Sequence, residues 1–176
     1  MEDLILKNIK ERRSIRKFAS TMVKKEDIEK IVEAGLFAAS GKSMQASKII
    51  VISNKEMRNQ IAEMNRKIMG APEGFDPFYG APVVLLVVAE ASAPTGIYDG
   101  SLTLGNMMLE VESLGLSSIW IHRAKEEVES DEGKALLKKA GLKGDYVGIG
   151  HLAIGYADCE KPAAAPRKAD RVFYID

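Results

Sequence analysis

Four short apolar segments, separated by longer amphipathic stretches, constrain this chain more than any other feature of its sequence. The segments are 48–53, 82–89, 116–121 and 146–156, and most are rich in β-branched residues. Each is bounded by polar or turn-forming residues and has the length of a strand, so each predicts a buried strand. The most apolar segment, 82–89, is far too short to cross a bilayer.

The stretches between these strands carry apolar residues at helical spacing. They predict helices over 3–12, from Thr21 to a stop near Gly41, over about 55–69, about 99–114 and 130–140. The Gly- and Pro-rich segment 70–82 predicts an ordered loop, and 172–175 is strand-like. Since strands and helices alternate, the residues predict an α/β class with a central sheet of four or five strands. One domain over 1–176 is expected, because no repeat or linker divides the chain.

Charge and cysteine content exclude several classes of protein. The chain has 25 basic and 25 acidic residues, so no overall positive charge attracts nucleic acid or an anionic membrane. Any anion must therefore be bound by local geometry. Cys159 is the only cysteine, so no internal disulfide can form, which fits a reducing compartment. The charged N-terminus lacks the apolar core of a signal peptide, and we expect a soluble, cytoplasmic protein.

A cluster of basic residues follows the first predicted helix. Arg12, Arg13, Ser14 and Arg16 together offer guanidinium forks and a hydroxyl that can bind a phosphate. The alternative is that they only complement the C-terminus of that helix. Arg167, in the Pro- and Ala-rich tail, could supply a second contact to the same anion.

Two other segments occupy positions where proteins with helices and strands bind ligands. The polar loop from Ser40 to Gln45 lies between a helix and a strand, although an ordinary connecting loop has the same composition. His122 ends the third predicted strand beside Arg123, at the sheet edge. His151 is expected to be a satisfied, buried histidine, and no zinc spacing joins the histidines to the cysteine. The many acidic residues alternate with lysines, which predicts solvated helix faces.

Gly148, Gly150 and Ala153 match the glycine pattern of a dinucleotide-binding loop. That motif must leave a strand and open a helix, whereas these glycines lie inside a predicted strand. Close backbone packing is the better explanation. The helix over 99–114 is apolar over a broad face, so it lies either in the core or at a subunit interface.

Taken in order, several segments of the chain resemble the nitroreductase family of flavoenzymes. They are ERRSIRKF, AASGKSMQASKIIVI, FYGAPVVLLVVAE, DGSLTLGNMMLEVESLGLSSIWI and GIGHLAIGYADCEKPAAAPRK. The resemblance implies an α+β fold with a central mixed sheet flanked by helices, in an intertwined homodimer. It also implies two FMN molecules at the subunit interface, reduced by NADH or NADPH and oxidised by a nitroaromatic, quinone or similar small molecule.

The resemblance also assigns roles to residues. It implies that Arg12 and Ser14 hold the FMN phosphate and ribityl chain, with Arg13 nearby and Arg167 completing the site. Arg16 would approach the N1/O2 edge of the isoalloxazine. The remaining residues are implied to contact the ring. One loop reaches the ring from the partner subunit, and one turn passes beneath the ring and directs a backbone N–H toward N5. These residues are Ser40, Ser43 and Gln45 in the loop, His122, Arg123 and Ala124 in the turn, and Asn65.

The chain departs from the family pattern at two places. Where many relatives have N-x-Q-P-W, it has Ser43, Gln45, Ala46 and Ser47, and it lacks the glycine that often follows the third strand. These departures affect substrate and ring contacts but leave the phosphate site intact. Alternative functions are an FMN-binding protein without turnover, another chemistry on the same scaffold such as dehalogenation or flavin cleavage, and a protein without a cofactor.

Overall fold

The computed structural model describes residues 3–175. Six helices and four strands are defined within these residues. The helices are α1 (Leu4–Glu11), α2 (Lys25–Leu36), α3 (Lys55–Met69), α4 (Gly96–Ser113), α5 (Ala124–Glu129) and α6 (Asp131–Lys139). The strands are β1 (Ser47–Ile52), β2 (Val83–Glu90), β3 (Ser117–Ile121) and β4 (Tyr146–Gly155).

The four strands form one sheet in the order β1-β2-β4-β3, and all three pairings are antiparallel. The α+β class is therefore confirmed, but the sheet is antiparallel where a mixed one was predicted. The one parallel contact in the described residues is an isolated bridge between Ser14 and Ser118. The alternation of strands and helices along the chain did not imply a parallel sheet. After β1, helix α3 and segment 70–82 bring the chain back to the end of the sheet at which β1 stops, so β2 runs antiparallel to β1.

The core lies on both faces of this sheet. Residues Val84, Leu86 and Val88 of β2 pack into a cluster with α3, α5 and α6. The alternate residues of β2, from Val83 to Ala89, pack into a second cluster with α2 and α4. Because side chains alternate between the faces of a strand, an unbroken apolar run places one residue in each cluster in turn. The prediction of buried strands is confirmed for β2, most of β4 and the inner residues of β3. It is wrong for the edge strand β1, where only Ile52 is buried.

The loop over 70–82 is ordered by one carboxylate. Asp76 accepts hydrogen bonds from the backbone N–H groups of Phe78 at 3.0 Å and Gly80 at 2.7 Å. It also pairs with Arg58, whose Nε donates to the Ala81 carbonyl at 3.0 Å. Phe78 is fully buried. The predicted ordered loop is thus confirmed. These contacts fix the position of the backbone just before β2 begins.

Three local predictions differ from the structure. Helix α2 ends at Leu36, and Gly41 begins a short 3-10 turn instead of stopping a helix. Residues 172–175 are exposed and form no strand, because no described strand pairs with them. Helix α5 was not predicted, since a six-residue helix is too short to display a helical period.

None of the helices in the described part of the chain is long and apolar enough to cross a membrane.

Gly148 and Gly150 lie inside β4, where the sequence placed them. A Cβ on Gly148 would lie 1.9 Å from the backbone carbonyl oxygen of Ala124, which no rearrangement of a side chain can relieve. A Cβ on Gly150 would instead meet Nε1 of Trp120 at 2.3 Å, and that side chain is partly exposed and able to move. Close packing, not dinucleotide binding, accounts for both glycines.

Gly148→Ala is expected to lower the free energy of unfolding by about 2 kcal/mol or more, because the backbone at Ala124 must move to admit the methyl group. Urea denaturation followed by circular dichroism measures this loss. Gly150→Ala is the matched control and is expected to cost less. Equal losses in the two variants would contradict the proposed role of backbone contact at Gly148.

Candidate functional site

The basic segment after α1 is held against β3. The backbone N–H of Ile15 donates to the Ser118 carbonyl at 3.1 Å, next to the bridge between Ser14 and Ser118. Ile15 and Phe18 are buried in the core, whereas Ser14 stays partly exposed and Arg16 is exposed. The segment therefore presents polar side chains to solvent from a backbone that the core holds in place.

The side chain of Arg13 stabilises this segment. Its guanidinium donates to three backbone carbonyls, those of Lys10 at 2.6 Å, Arg12 at 2.8 Å and Pro162 at 3.1 Å. It thereby caps the end of α1 and joins it to the C-terminal tail. The side chains of Arg12 and Arg16 form no hydrogen bond or ion pair within residues 3–175. Their guanidinium groups are therefore available to an anion.

The tail after β4 runs antiparallel to this segment. The N–H of Ala19 donates to the Tyr156 carbonyl, and the N–H of Asp158 donates to the Lys17 carbonyl, each at 2.9 Å. The side chains of Lys17 and Asp158 also form an ion pair at 2.8 Å. The hydrogen bond to Asp158, and then its charge, raise the pKa of Lys17 above its usual value, so the lysine stays charged at neutral pH.

The C-terminal tail carries Arg167 beyond its contact with Arg13. Arg167 is exposed, and no hydrogen bond or ion pair to it exists among the described residues. Its position in the sequence is five residues beyond Pro162, a span of at most about 18 Å of extended chain. The contact between Arg13 and Pro162 therefore limits how far Arg167 can lie from the end of α1.

The loop from Ser40 to Gln45 has an unusual backbone. Lys42, Ser43 and Gln45 all have positive φ, between 50° and 56°, which residues with a Cβ rarely adopt. Such conformations persist only where surrounding contacts impose them, and they cluster at functional sites. The side chains of Ser43 and Gln45 are exposed, as expected for residues that reach a ligand or another subunit.

The buried carboxylate of Asp99 holds this loop. Both of its oxygens lie 3.2 Å from the backbone nitrogen of Gly41, and it also accepts a hydrogen bond from Thr95 Oγ1 at 3.0 Å. Inside the loop, Ser40 Oγ accepts from the N–H of Gln45 at 3.1 Å. A cavity of about 230 Å³ borders Ser40, Gln45 and Asp99. The loop is therefore tied to the first turn of α4.

The third group of predicted residues lies where β3 ends. His122 is exposed with its ring 5.5 Å from that of Trp120, Arg123 is partly buried with φ 80°, and Ala124 is buried. Asn65 of α3 lies beneath this turn and is fully buried. It accepts a hydrogen bond from Arg123 Nε at 2.9 Å and donates to the His122 carbonyl at 3.0 Å. The structure thus brings these four residues together.

Two buried acids are exceptions to the prediction that the acidic residues mostly lie on solvated helix faces. Asp99 holds the loop after α2, and Glu127, only 2% exposed, hydrogen-bonds Asn65 Nδ2. Nε2 of the fully buried His151 lies 2.9 Å from the second carboxylate oxygen of Glu127. His151 is buried as predicted but is not satisfied, because neither ring nitrogen forms a hydrogen bond among residues 3–175 and Nε2 has only the close contact with Glu127. Helix α5 is too short for its periodicity to mark Glu127 as buried.

One strand connects two of these groups. The basic segment contacts β3 at Ser118, and the turn at His122 follows its last residue. Four residues of extended strand separate the two points by about 13 Å. The loop from Ser40 to Gln45 contacts neither group within this chain. The candidate site is therefore an open surface along β3. The basic side chains after α1, which suit a phosphate, lie at one end of it, and the turn held by Asn65 lies at the other.

Asp99→Ala is expected to lower the free energy of unfolding by about 1–3 kcal/mol, because the Gly41 N–H and the Thr95 hydroxyl lose their acceptor. Hydrogen exchange at residues 41–45 should also become faster. Asp145→Ala, which removes an exposed carboxylate, is the control and should change stability by no more than about 0.5 kcal/mol. If the two variants behave alike, Asp99 does not hold the loop.

Comparison with known proteins gives a consistent result. The family model described as "Nitroreductase family" matches residues 9–156. A candidate NADH dehydrogenase/NAD(P)H nitroreductase of Archaeoglobus fulgidus is 29% identical over 89% of this chain and 87% of its own. The NADPH-flavin oxidoreductase of Vibrio harveyi is 26% identical over 88% of this chain and 66% of its own. A crystal structure of a nitroreductase with bound FMN from Desulfitobacterium hafniense is 26% identical, with a TM-score of 0.89 and full coverage of both chains.

Proposed function

Because this chain belongs to the nitroreductase family, we propose that it is an FMN-dependent oxidoreductase. It passes two electrons from NADH or NADPH to a nitroaromatic, quinone or similar small acceptor. FMN bound at this site would supply the two-electron redox chemistry between the nicotinamide and the acceptor. The observation that carries the proposal is the arrangement along β3, with available guanidinium groups at one end and the held turn at the other.

The donors at the end of α1 fit the phosphate of FMN. Arg12 and Ser14 bind the phosphate and ribityl chain, since a guanidinium matches phosphate geometry with two parallel donors. Arg167 approaches the same phosphate from the tail. Arg13 lies beside the phosphate, where its Nε and Nη1 are bonded to three carbonyls and position Arg12 and the tail.

Arg16 carries the electrostatic part of the mechanism. It is exposed, it lies two residues beyond Ser14, and it has no partner within residues 3–175. A fixed cation beside the N1/O2 edge of the flavin stabilises negative charge there and raises the reduction potential. No acid–base pair of the protein is needed, because the cofactor performs the redox chemistry.

The remaining residues surround the ring. The turn at His122, Arg123 and Ala124 passes beneath the ring and offers it a backbone N–H. Ser40, Ser43 and Gln45 contact the same flavin from the partner subunit, because their loop contacts neither end of the β3 site in its own chain. Asn65 acts through the turn, since its amide atoms are already bonded to His122 and Arg123.

A homodimer completes this site. Large apolar side chains are exposed on the surface formed by α1, the end of α2 and the start of α4, including Phe37 at 81% and Tyr98 at 71%. A groove of about 750 Å³ separates α1 from α2 and α4. Exposed apolar patches of this kind mark interfaces. The tail residues 172–175, which are apolar and exposed, are suited to pack on a second copy of the chain.

The protein acts as a single domain over 1–176 in the cytoplasm. Within residues 3–175 both apolar clusters pack on one sheet, as expected of a single domain. The only cysteine, Cys159, is exposed and unpaired, as is usual in a reducing compartment.

The visible spectrum of the purified protein tests the proposal directly. We expect yellow protein that releases FMN, not FAD, on denaturation, and steady oxidation of NADH or NADPH when a quinone or nitroaromatic is supplied. Bound FMN without turnover would support a sensing or storage protein. No flavin binding after reconstitution with FMN would overturn the proposal.

Substitutions of Arg12 and Arg16 separate binding from redox tuning. Arg12→Ala is expected to weaken FMN binding by roughly ten- to a hundredfold, because a charge-assisted contact is worth about 1.5–3 kcal/mol. Arg16→Ala is expected to lower the potential of bound FMN, by about 30 mV for each 1.4 kcal/mol of stabilisation lost. Redox titration of both FMN-saturated variants beside the parent measures this difference. An unchanged potential in Arg16→Ala would remove Arg16 from the mechanism.

Phe37→Glu tests whether the site needs a dimer. The parent is expected to have about twice the chain mass of 19.2 kDa by light scattering. The variant buries a charge in the proposed interface, so it should dissociate and lose FMN. Gln60→Glu, on the exposed side of α3, is the control and should remain dimeric. A monomer that keeps FMN would contradict the shared site.

A further inference from the structure

The turn after β3 has a backbone conformation that its residue does not favour. Arg123 has φ 80° and ψ 5°, in the left-handed region. A Cβ makes this region unfavourable, whereas glycine enters it freely. Arg123 is nevertheless followed directly by α5, so the structure around it must impose the conformation.

One side-chain amide imposes it through two contacts. Asn65 Oδ1 accepts from Arg123 Nε at 2.9 Å, and Asn65 Nδ2 donates to the His122 carbonyl at 3.0 Å. The His122 carbonyl belongs to the peptide that precedes Arg123. Rotation of φ at Arg123 moves that peptide relative to the Arg123 side chain. Because both are bonded to the same amide, the two hydrogen bonds together restrain φ.

The orientation of the amide is fixed in turn. The second hydrogen of Asn65 Nδ2 is donated to Glu127, a carboxylate that is 2% exposed. If the amide were turned over, its oxygen would face this carboxylate and its N–H groups would face the guanidinium of Arg123. The other oxygen of Glu127 lies 2.9 Å from Nε2 of His151, in the central strand β4. A continuous polar chain thus runs from the middle of the sheet to the turn.

We propose that Asn65 and Glu127 are positioning residues that hold Arg123 in the left-handed conformation. The arginine, tethered to Asn65, thus adopts a backbone conformation that glycine would adopt without a tether. The shape of the turn, and with it the backbone N–H offered beneath the ring, depends on this tether. The part that concerns the cofactor rests on the proposed function, whereas the tether itself does not. The Arg123 guanidinium therefore acts on its own backbone and not on the ligand.

Arg123→Ala and Arg123→Gly form the matched pair that tests the tether. Both variants lose the guanidinium, but only alanine keeps the Cβ that disfavours positive φ. The dissociation constant for FMN, from titration of flavin fluorescence, is expected to be about fivefold lower for Arg123→Gly than for Arg123→Ala. Equal affinities, or weaker binding by Arg123→Gly, would overturn the proposal, because a direct contact by the guanidinium is lost equally in both.

Asn65→Ala, introduced into the parent and into the Arg123→Gly background, tests whether the amide acts through the turn. Asn65→Ala is expected to weaken FMN binding about tenfold in the parent and less than about threefold in the Arg123→Gly background. The difference is the coupling between Asn65 and Arg123, which this double-mutant cycle measures. The same factor in both backgrounds would show that Asn65 acts independently of Arg123 and would overturn its role. Should Asn65→Ala fail to fold, the comparison of the two Arg123 variants still decides the proposal.

Unfolding measurements without flavin separate this proposal from the proposed function. The unfolding equilibrium constant of the apoprotein is expected to be about fivefold smaller for Arg123→Gly than for Arg123→Ala. If neither the parent nor the variants bind FMN, the proposed function fails while this comparison still tests the tether. If FMN binds and the two variants unfold alike, the tether fails and the proposed function stands.

Discussion

The burial of β2 between two layers of helices is the constraint on which the rest of the molecule depends. Every residue from Val83 to Ala89 is at most 1% exposed. With both faces of the central strands covered, polar groups are confined to the ends of strands, to the edges of the sheet, or to buried positions with partners. The candidate site lies at one such edge, along β3 and at its two ends, and β1 at the other edge is also partly exposed.

Three carboxylates, two of them buried and that of Asp76 partly exposed, then hold the backbone where regular structure stops. Asp99 fixes the loop with three positive φ angles, Asp76 orders the loop before β2, and Glu127 orients the amide under the turn after β3. Each carboxylate accepts at least one hydrogen bond, so the cost of burying it is offset. The shapes of these loops thus depend on single side chains supplied by neighbouring helices or by the loop itself.

Much of the architecture could be predicted from local pattern. The four strands, and the helix over 55–69, were placed to within one residue at nearly every boundary, since burial on both faces leaves continuous apolar runs and α3 has a clear helical period. Helix α5 was missed because its six residues carry too little pattern. The antiparallel pairing was also missed, since it depends on where segment 70–82 returns the chain, and composition does not specify that.

The sequence by itself determined the family, the positions of the strands and the basic cluster after α1, because these depend on residue type and order along the chain. Only the tertiary structure decided what each polar residue does. It bonded the guanidinium of Arg13 to three carbonyls while leaving Arg12 available, and it buried Glu127 under Asn65. The physical reason is that hydrogen bonds between residues far apart in sequence, such as Asn65 and Arg123, exist only once the chain has folded.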